Sequence, residues 1–389
     1  MKLAFSDEDE QFRQELRDFL AEHCPPEARR IRDSIAEEDG SIPDWARAWQ
    51  ATLFDHGWMV PGFGPELGGR NATPTQTLIY LEEMARQSVV RSVHFGGYAI
   101  VGPSLLEFGN EQQRAMAPAA IRGDTIWCVG MSEPNAGSDL ANLSCRAVAD
   151  GDSFIVNGQK VWTSYAPIAD KCFCYVRTDP EAAKHKGISA LIIDMDTPGL
   201  EVRPLRHITG AAEFAEVFFT DAVVPRENLV GELNNGWRIT MGALAHERGG
   251  LWVEGVANAQ RAFDGLRDLV ERKGLAGDAH VRRQLAEAYE RCASLRALGY
   301  KGFASFAQGS SAPEHSYMKV ATSELRKELF ELGMALQGAF GAVCDPELPP
   351  EDGRWWRGYF VSMAGTIGGG TSEIQRNVVA NRVLGLPRG

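Results

Sequence analysis

Apolar residues recur at helical spacing through the first third of the chain. In DEDEQFRQELRDFLAEHC, Phe12, Leu16, Phe19 and Leu20 share one helix face, and PTQTLIYLEEMARQ repeats the pattern. Between them, VPGFGPELGGR is broken by proline and glycine. Its GxG lacks the third glycine of a dinucleotide loop and is followed by Pro65, so it reads as a turn region. The period changes near residue 124. DSFIVNGQKVWTS reads as two β-rich runs around Asn157-Gly158, a hairpin signal. KCFCYVRT, GISALIIDMD and FAEVFFTDAVVP continue as short strands to about residue 232, after which long helical patterns run to the end. The order predicts an α+β chain: an N-terminal all-α domain over 1–122, a middle β-sheet or barrel domain over 123–232, and a C-terminal helical bundle over 233–389.

Composition narrows the class without naming it. With 389 residues, 44% hydrophobic and 24% charged, the chain is expected to be a soluble globular protein of two or three domains. Its net charge of −12, with no basic block, argues against nucleic acid or an anionic membrane as partner. The seven cysteines show no zinc-like spacing, so no metal is expected. Cys172 and Cys174 alternate in an apolar run as buried strand thiols do, and a reducing cytoplasm is the expected compartment. The acidic start MKLAFSDEDEQF has no apolar core of a signal peptide, and no stretch approaches the roughly 18–20 apolar residues of a membrane span.

Four stretches carry candidate chemistry. AGTIGGGTSEIQRN runs glycines into a helix start, which is either a flexible turn or a backbone that approaches an anionic ligand. MSEPNAGSD offers the hydroxyls of Ser132 and Ser138 around Gly137, as an ordinary turn or as a seat for a flat polar ring. VWTS puts Trp162 and Ser164 on one strand face with Thr163 opposite, as a core tryptophan or as the flank of an aromatic cofactor. GALAHERGGLW places Glu247 and Arg248 among apolar and small residues on a helix. A charge there is unfavourable unless paired or used. Arg248 suits a structural ion pair, whereas a carboxylate such as Glu247 suits a general base with a raised pKa.

These motifs resemble the acyl-CoA dehydrogenases. MSEPNAGSD, NGQKVWTS, the helix with HER, and GGGTSEIQRN stand in that family's order and spacing along essentially the whole chain. The resemblance implies a C-terminal four-helix bundle, noncovalent FAD, and oxidation of an acyl-CoA thioester to its trans-2-enoyl form. In it a carboxylate takes the α-proton, the β-hydrogen leaves as hydride to flavin N5, and an electron-transfer flavoprotein accepts the electrons. Carried over by position, Met131, Ser132, Ser138, Trp162, Ser164, Gly338, Gly370, Thr371 and Glu373 are the expected cofactor contacts. Many members hold the catalytic glutamate immediately before the Gly-Thr pair, where this chain has Gly369. Members resembling the isovaleryl- and long-chain-specific enzymes carry it on the first long C-terminal helix, which implies Glu247 as base and Arg248 beside it.

The chain departs from the family in two motifs that, in homotetramers, reach a neighbour's FAD. Arg272 is followed by no Phe-Gly pair, and the Gln-x-x-Gly-Gly-x-Gly segment reads ALQGAFG, with Ala335 in the glutamine position. That split resembles the α2β2 heterotetramers of actinobacterial sterol side-chain degradation, while a homotetramer stays open. Also open are an acyl-CoA oxidase, a dehydrogenase of carrier-protein thioesters, and a non-catalytic subunit. Gly242, Gly249 and Gly250 suggest a roomy acyl pocket.

Overall fold

A computed structural model describes residues 5–29, 41–92, 94–307, 314–343 and 353–387, with backbone alone at 243–251, 306, 307 and 314–316. Its helices are α1 (Asp7–His23), α2 (Asp44–Asp55), α3 (Pro74–Arg86), α4 (Gly102–Phe108), α5 (Glu111–Arg114), α6 (Ala117–Arg122), α7 (Gly236–Arg272), α8 (Ala279–Ala307), α9 (Glu314–Leu336), α10 (Arg354–Ile367) and α11 (Ser372–Val378). The chain divides into two compact units, Met1–Thr73 with Val89–Glu247, and Pro74–Ser88 with Arg248–Gly389. Among the described residues no helix is long and apolar enough to cross a membrane.

In the first unit, α1 starts on a capping box. The Ser6 hydroxyl accepts the Asp9 N–H at 3.1 Å, and the Asp9 carboxylate accepts the Ser6 N–H at 3.2 Å. The four apolar residues picked out by spacing, Phe12, Leu16, Phe19 and Leu20, are those the helix buries. The sheet contains β1 (Trp127–Gly130), β2 (Arg146–Asp150), β3 (Ser153–Ser164), β4 (Lys171–Arg177), β5 (Ile188–Asp194), β6 (Leu200–Leu205), β7 (Phe214–Pro225) and β8 (Leu229–Val230). Their order is β6-β7-β3-β2-β4-β5-β8, with β1 parallel to β4. Strand β4 is buried on both faces. Cys172, Cys174 and Val176 join one apolar cluster, and Phe173 and Tyr175 join another.

The hairpin expected at Asn157-Gly158 is not there. The chain reverses earlier, at Gly151-Asp152, where Asp150 pairs with Ser153, and β3 then runs unbroken to Ser164. Asn157-Gly158 instead sits at a shift of register against β7, where Val156 faces Ala222 but Gly158 faces Phe219. The Asn157 side chain exchanges two hydrogen bonds with Asp221, each 2.9 Å. A Cβ at Gly158, whose φ is +148°, would stand 2.6 Å from the Cα of Cys145. The glycine permits close strand approach, a use that a dipeptide turn signal does not distinguish from a turn.

In the second unit, Leu78 of α3 joins a core built by Trp252, Val256 and Leu266 of α7, Cys292 of α8, Leu325 and Leu329 of α9, and Trp355 of α10. Arg261 donates to the Ala85 carbonyl at 2.7 Å, and the Tyr300 hydroxyl donates to Glu82. The stretch PTQTLIYLEEMARQ is a helix as its period predicts. It packs on helices that lie far along the chain, which periodicity does not show.

His94, in the first unit, is fully buried. Its Nε2 lies 2.8 Å from the Trp127 N and 2.9 Å from the Trp127 carbonyl oxygen, and Nδ1 has no partner among the described residues. Burial, only partly offset by the bond to the Trp127 backbone, pushes the imidazole pKa down to about 4. The unfolded chain takes up this proton below about pH 6.5, whereas the folded protein resists down to about 4. Stability is therefore complete above pH 6.5 and falls as pH drops through that window, by up to about 3 kcal/mol. Urea unfolding at pH 7 and pH 5 is expected to show a smaller acid loss in His94→Gln than in the wild type. Equal losses would remove His94 as the cause.

Candidate functional site

After Gly130 the chain leaves β1 and enters MSEPNAGSD. Glu133 and Ala136 exchange backbone hydrogen bonds of 3.1 and 3.0 Å, which closes the loop on itself. The Glu133 side chain turns inward. Its carboxylate accepts from the Ser144 N–H at 2.6 Å, the Ser144 hydroxyl at 2.8 Å, the Cys145 N–H at 2.9 Å and the Lys160 ammonium at 2.8 Å. Lys160, with no exposure to water, also donates to the Met131 carbonyl at 3.2 Å. Burial works against the Glu133 charge, but Lys160 and the backbone donors outweigh it and hold the carboxyl below its ordinary value. Burial likewise opposes the Lys160 charge, and the Glu133 carboxylate 2.8 Å away offsets it, while the buried Cys174 and Cys145 thiols, pushed up by their surroundings, stay neutral. The pair is therefore ionised. Sequence reasoning missed both residues. The available signal was a lysine at an inward position between Val156 and Thr163, which burial permits only with a partner.

Strand β3 then bulges. Lys160 faces Val217 and Thr163 faces Ala215 on β7, so Val161 and Trp162 together oppose Glu216. The bulge frees the Val161 N–H, which donates to the Ser132 carbonyl at 2.9 Å and ties the loop to the strand. Trp162 takes the left-handed conformation, φ +58°, uncommon for a bulky side chain and often found at working sites. The residue is 60% exposed and its ring meets Phe214 edge-on at 6.1 Å, while Thr163 is buried. The core-tryptophan alternative therefore fails for Trp162. Met131, Ser132, Ser138, Trp162 and Ser164 all belong to this loop and bulge. Among the described residues the hydroxyls of Ser132, Ser138 and Ser164 have no hydrogen-bond partner.

In the second unit the glycine run is held from below. Lys319 donates to the Gly370 carbonyl at 2.6 Å and Gln375 to the Gly369 carbonyl at 2.8 Å. Thr371 caps α11 by accepting the Ile374 N–H at 3.3 Å, and the Ser372 hydroxyl donates to Glu324 at 2.6 Å. Glu373 is exposed, and its own backbone N–H, the Thr371 hydroxyl and the cations Arg376 and Lys319 hold its carboxyl below the usual range. Gly338 does not join this group. It follows the far end of α9, about 25 Å of helix from Lys319. Gln337, two places past the family's glutamine position, is buried and donates to the Gly333 carbonyl at 3.2 Å, so it does not replace the missing side chain.

The α7 backbone is helical through Glu247 and Arg248, whose side chains lie outside the described residues. Gly249 and Gly250 fall there as well. Gly242 lets the Phe108 ring pack closely on α7, where a Cβ would meet it at 3.0 Å.

Within the first unit, an exposed aromatic residue on a bulge tied to a loop whose Met131 carbonyl is held by Lys160 suits a flat heteroaromatic ligand with several hydrogen-bonding atoms. FAD is such a ligand, and the donor set fits it. Family models for the acyl-CoA dehydrogenases match the chain throughout: the N-terminal domain over 6–124, the middle domain over 128–222 and the C-terminal domain over 234–384. The chain belongs to the acyl-CoA dehydrogenases, a family of FAD flavoproteins, and is an oxidoreductase. Acyl-CoA dehydrogenase IpdE1 of Mycolicibacterium smegmatis is 35% identical over 97% of this chain and 98% of its own. The solved structure titled Tcur3481-Tcur3483 steroid ACAD has a TM-score of 0.86 at 30% identity, covering 100% of both chains. The ChsE4-ChsE5 complex from Mycobacterium tuberculosis gives 0.84 at 32%, again covering 100% of both. The helical, sheet and helical domains expected from the sequence are those of this family.

The glycine run makes its own prediction. Gly369 has φ +67° with nothing within 4 Å of a Cβ, while at Gly370, φ +95°, a Cβ would stand 2.7 Å from the Gln375 Nε2 that closes the loop. Gly369→Ala is expected to lower unfolding free energy by about 1 kcal/mol from backbone strain alone. Gly370→Ala, adding the lost closure, is expected to lower it by about 2–3 kcal/mol. Urea denaturation curves of the two variants check the order.

Proposed function

We propose that this chain oxidises an acyl-CoA at its Cα–Cβ bond with FAD as bound cofactor and Glu247 as the base. The observation that carries the flavin reading is Trp162, exposed on a left-handed bulge that is tied through the Val161 N–H to the Ser132 carbonyl, in a chain of this family. Met131 and Ser132, with Ser138, Trp162 and Ser164, are the residues assigned to the flavin from the first unit. Gly370, Thr371 and Glu373 are those assigned to it from the second. FAD, when bound, would supply the two-electron acceptor.

The chain's own share is proton removal and orientation. Gly369, at the position before Gly370-Thr371, has no side chain to take a proton, which supports moving that task to Glu247 on α7. Arg248 is assigned to orientation and charge balance beside it. Gly338, at the end of α9 away from the glycine run, fits a contact to another subunit's cofactor. The loss of the neighbouring motif residues supports an α2β2 assembly with a homologous subunit over a homotetramer, and the similar ChsE4-ChsE5 structure is a complex of two named components. An electron-transfer flavoprotein is the proposed electron acceptor. Cys24, Cys128, Cys145, Cys172, Cys174 and Cys292 are all free thiols, in keeping with a cytoplasmic setting.

Anaerobic titration of the purified protein with short, branched, long and steroid-like acyl-CoAs tests the reading through the flavin's visible band. The steroid-like class is expected to bleach it, on the likeness to the steroid ACAD. A protein that stays yellow with every class is not a dehydrogenase of these substrates, and rapid oxygen uptake without added acceptor would make it an oxidase. Glu247→Gln is expected to keep FAD and lose about 10²–10⁴-fold in the rate of bleaching. Bleaching at the wild-type rate would exclude Glu247 as the base.

A further inference from the structure

The strongest unassigned feature is the ion pair beneath the MSEPNAGSD loop. Lys160 is wholly buried, yet its ammonium does more than neutralise Glu133: it also donates to the Met131 carbonyl at 3.2 Å. A trans peptide is planar, with its C=O and N–H pointing in opposite directions. Holding the Met131 carbonyl down towards Lys160 therefore aims the N–H of Ser132, in the same peptide plane, away from the core. Among the described residues that N–H has no acceptor. The next carbonyl, of Ser132, is held by the Val161 N–H, so the turn is fixed on both sides.

We propose that Lys160, kept charged by Glu133, is a positioning residue for the cofactor: it aims the Ser132 N–H at an acceptor atom of the flavin and polarises that donor. This rests on the flavin reading above. A cation on the carbonyl side of an amide strengthens its N–H as a donor, because bonded dipoles in a low-dielectric interior reinforce one another. The same fixed positive charge favours whichever redox state places more negative charge on the acceptor. Lys160 thus acts through a peptide and touches no substrate.

Two measurements test this on the whole chain, co-expressed with its homologous subunit where the two co-purify. The first uses the double variant Glu133→Gln/Lys160→Met, which removes both charges while keeping their volumes. Replacing a buried pair together is often neutral for stability, whereas removing one partner is not. The variant is expected to fold with a lowered unfolding midpoint, because a glutamine has one acceptor oxygen where the carboxylate serves both the Ser144 and Cys145 amides, and to bind FAD about tenfold more weakly with a more negative flavin midpoint potential. A purely structural pair would alter the unfolding midpoint and leave the potential unchanged. A folded double variant with wild-type FAD affinity and potential overturns the proposal and leaves the flavin reading intact. Wild-type protein that binds no FAD overturns both.

The second measurement needs no variant. Hydrogen exchange at the Ser132 amide is expected to be fast without FAD and at least about tenfold slower with it. An exchange rate that FAD does not change overturns the proposal even if the double variant fails to fold.

Discussion

A lysine with no access to water keeps its charge only if an anion and hydrogen-bond acceptors are built around it. Lys160 has both, in the Glu133 carboxylate and the Met131 carbonyl, and that requirement organises the middle of the molecule. Glu133 must in turn be satisfied, and it draws the Ser144 and Cys145 amides to itself. One buried pair thus connects the end of β1, the start of β2 and the centre of β3. The loop between β1 and β2 is rigid where it meets the strand and polar where it faces out.

The β3 bulge follows the same logic at the backbone level. An extra residue in the strand leaves one N–H without its ladder partner, and the Ser132 carbonyl takes it. Trp162 pays in left-handed strain for a ring presented outside the core, since regular alternation alone does not give a large aromatic such exposure. In the second unit the glycine run uses side chains to hold backbone carbonyls, through Lys319 and Gln375, so that its outer surface is fixed from behind. Both segments show the same arrangement, backbone carbonyls held by donors from the rest of their own unit. Such preorganisation suits a cofactor whose own chemistry does the redox work.

Much of this was legible beforehand, because the period of apolar residues reports local geometry directly. The buried face of α1 and the alternating thiols of β4 follow from that period. The family resemblance rested on MSEPNAGSD and GGGTSEIQRN, short stretches in which backbone geometry and hydroxyl placement constrain nearly every residue. The cofactor contacts proposed within the first unit come from the first of these stretches and from the strand with Trp162.

What the sequence determined by itself was therefore the kind and order of elements and the loops where chemistry gathers, since both depend on neighbours along the chain. Only tertiary structure decided which partners distant segments take. Asn157-Gly158 carries a turn signal, yet the approach of Cys145 and Asp221 makes it a close strand contact. The helix α3 looks N-terminal by position and is buried with helices some two hundred residues on. Glu133 and Lys160 each look like an ordinary charge, and only their 2.8 Å contact in a dry interior makes them a pair. A one-dimensional pattern records which residues prefer burial. Which charge meets which inside the fold is set by the packing that excludes water from both.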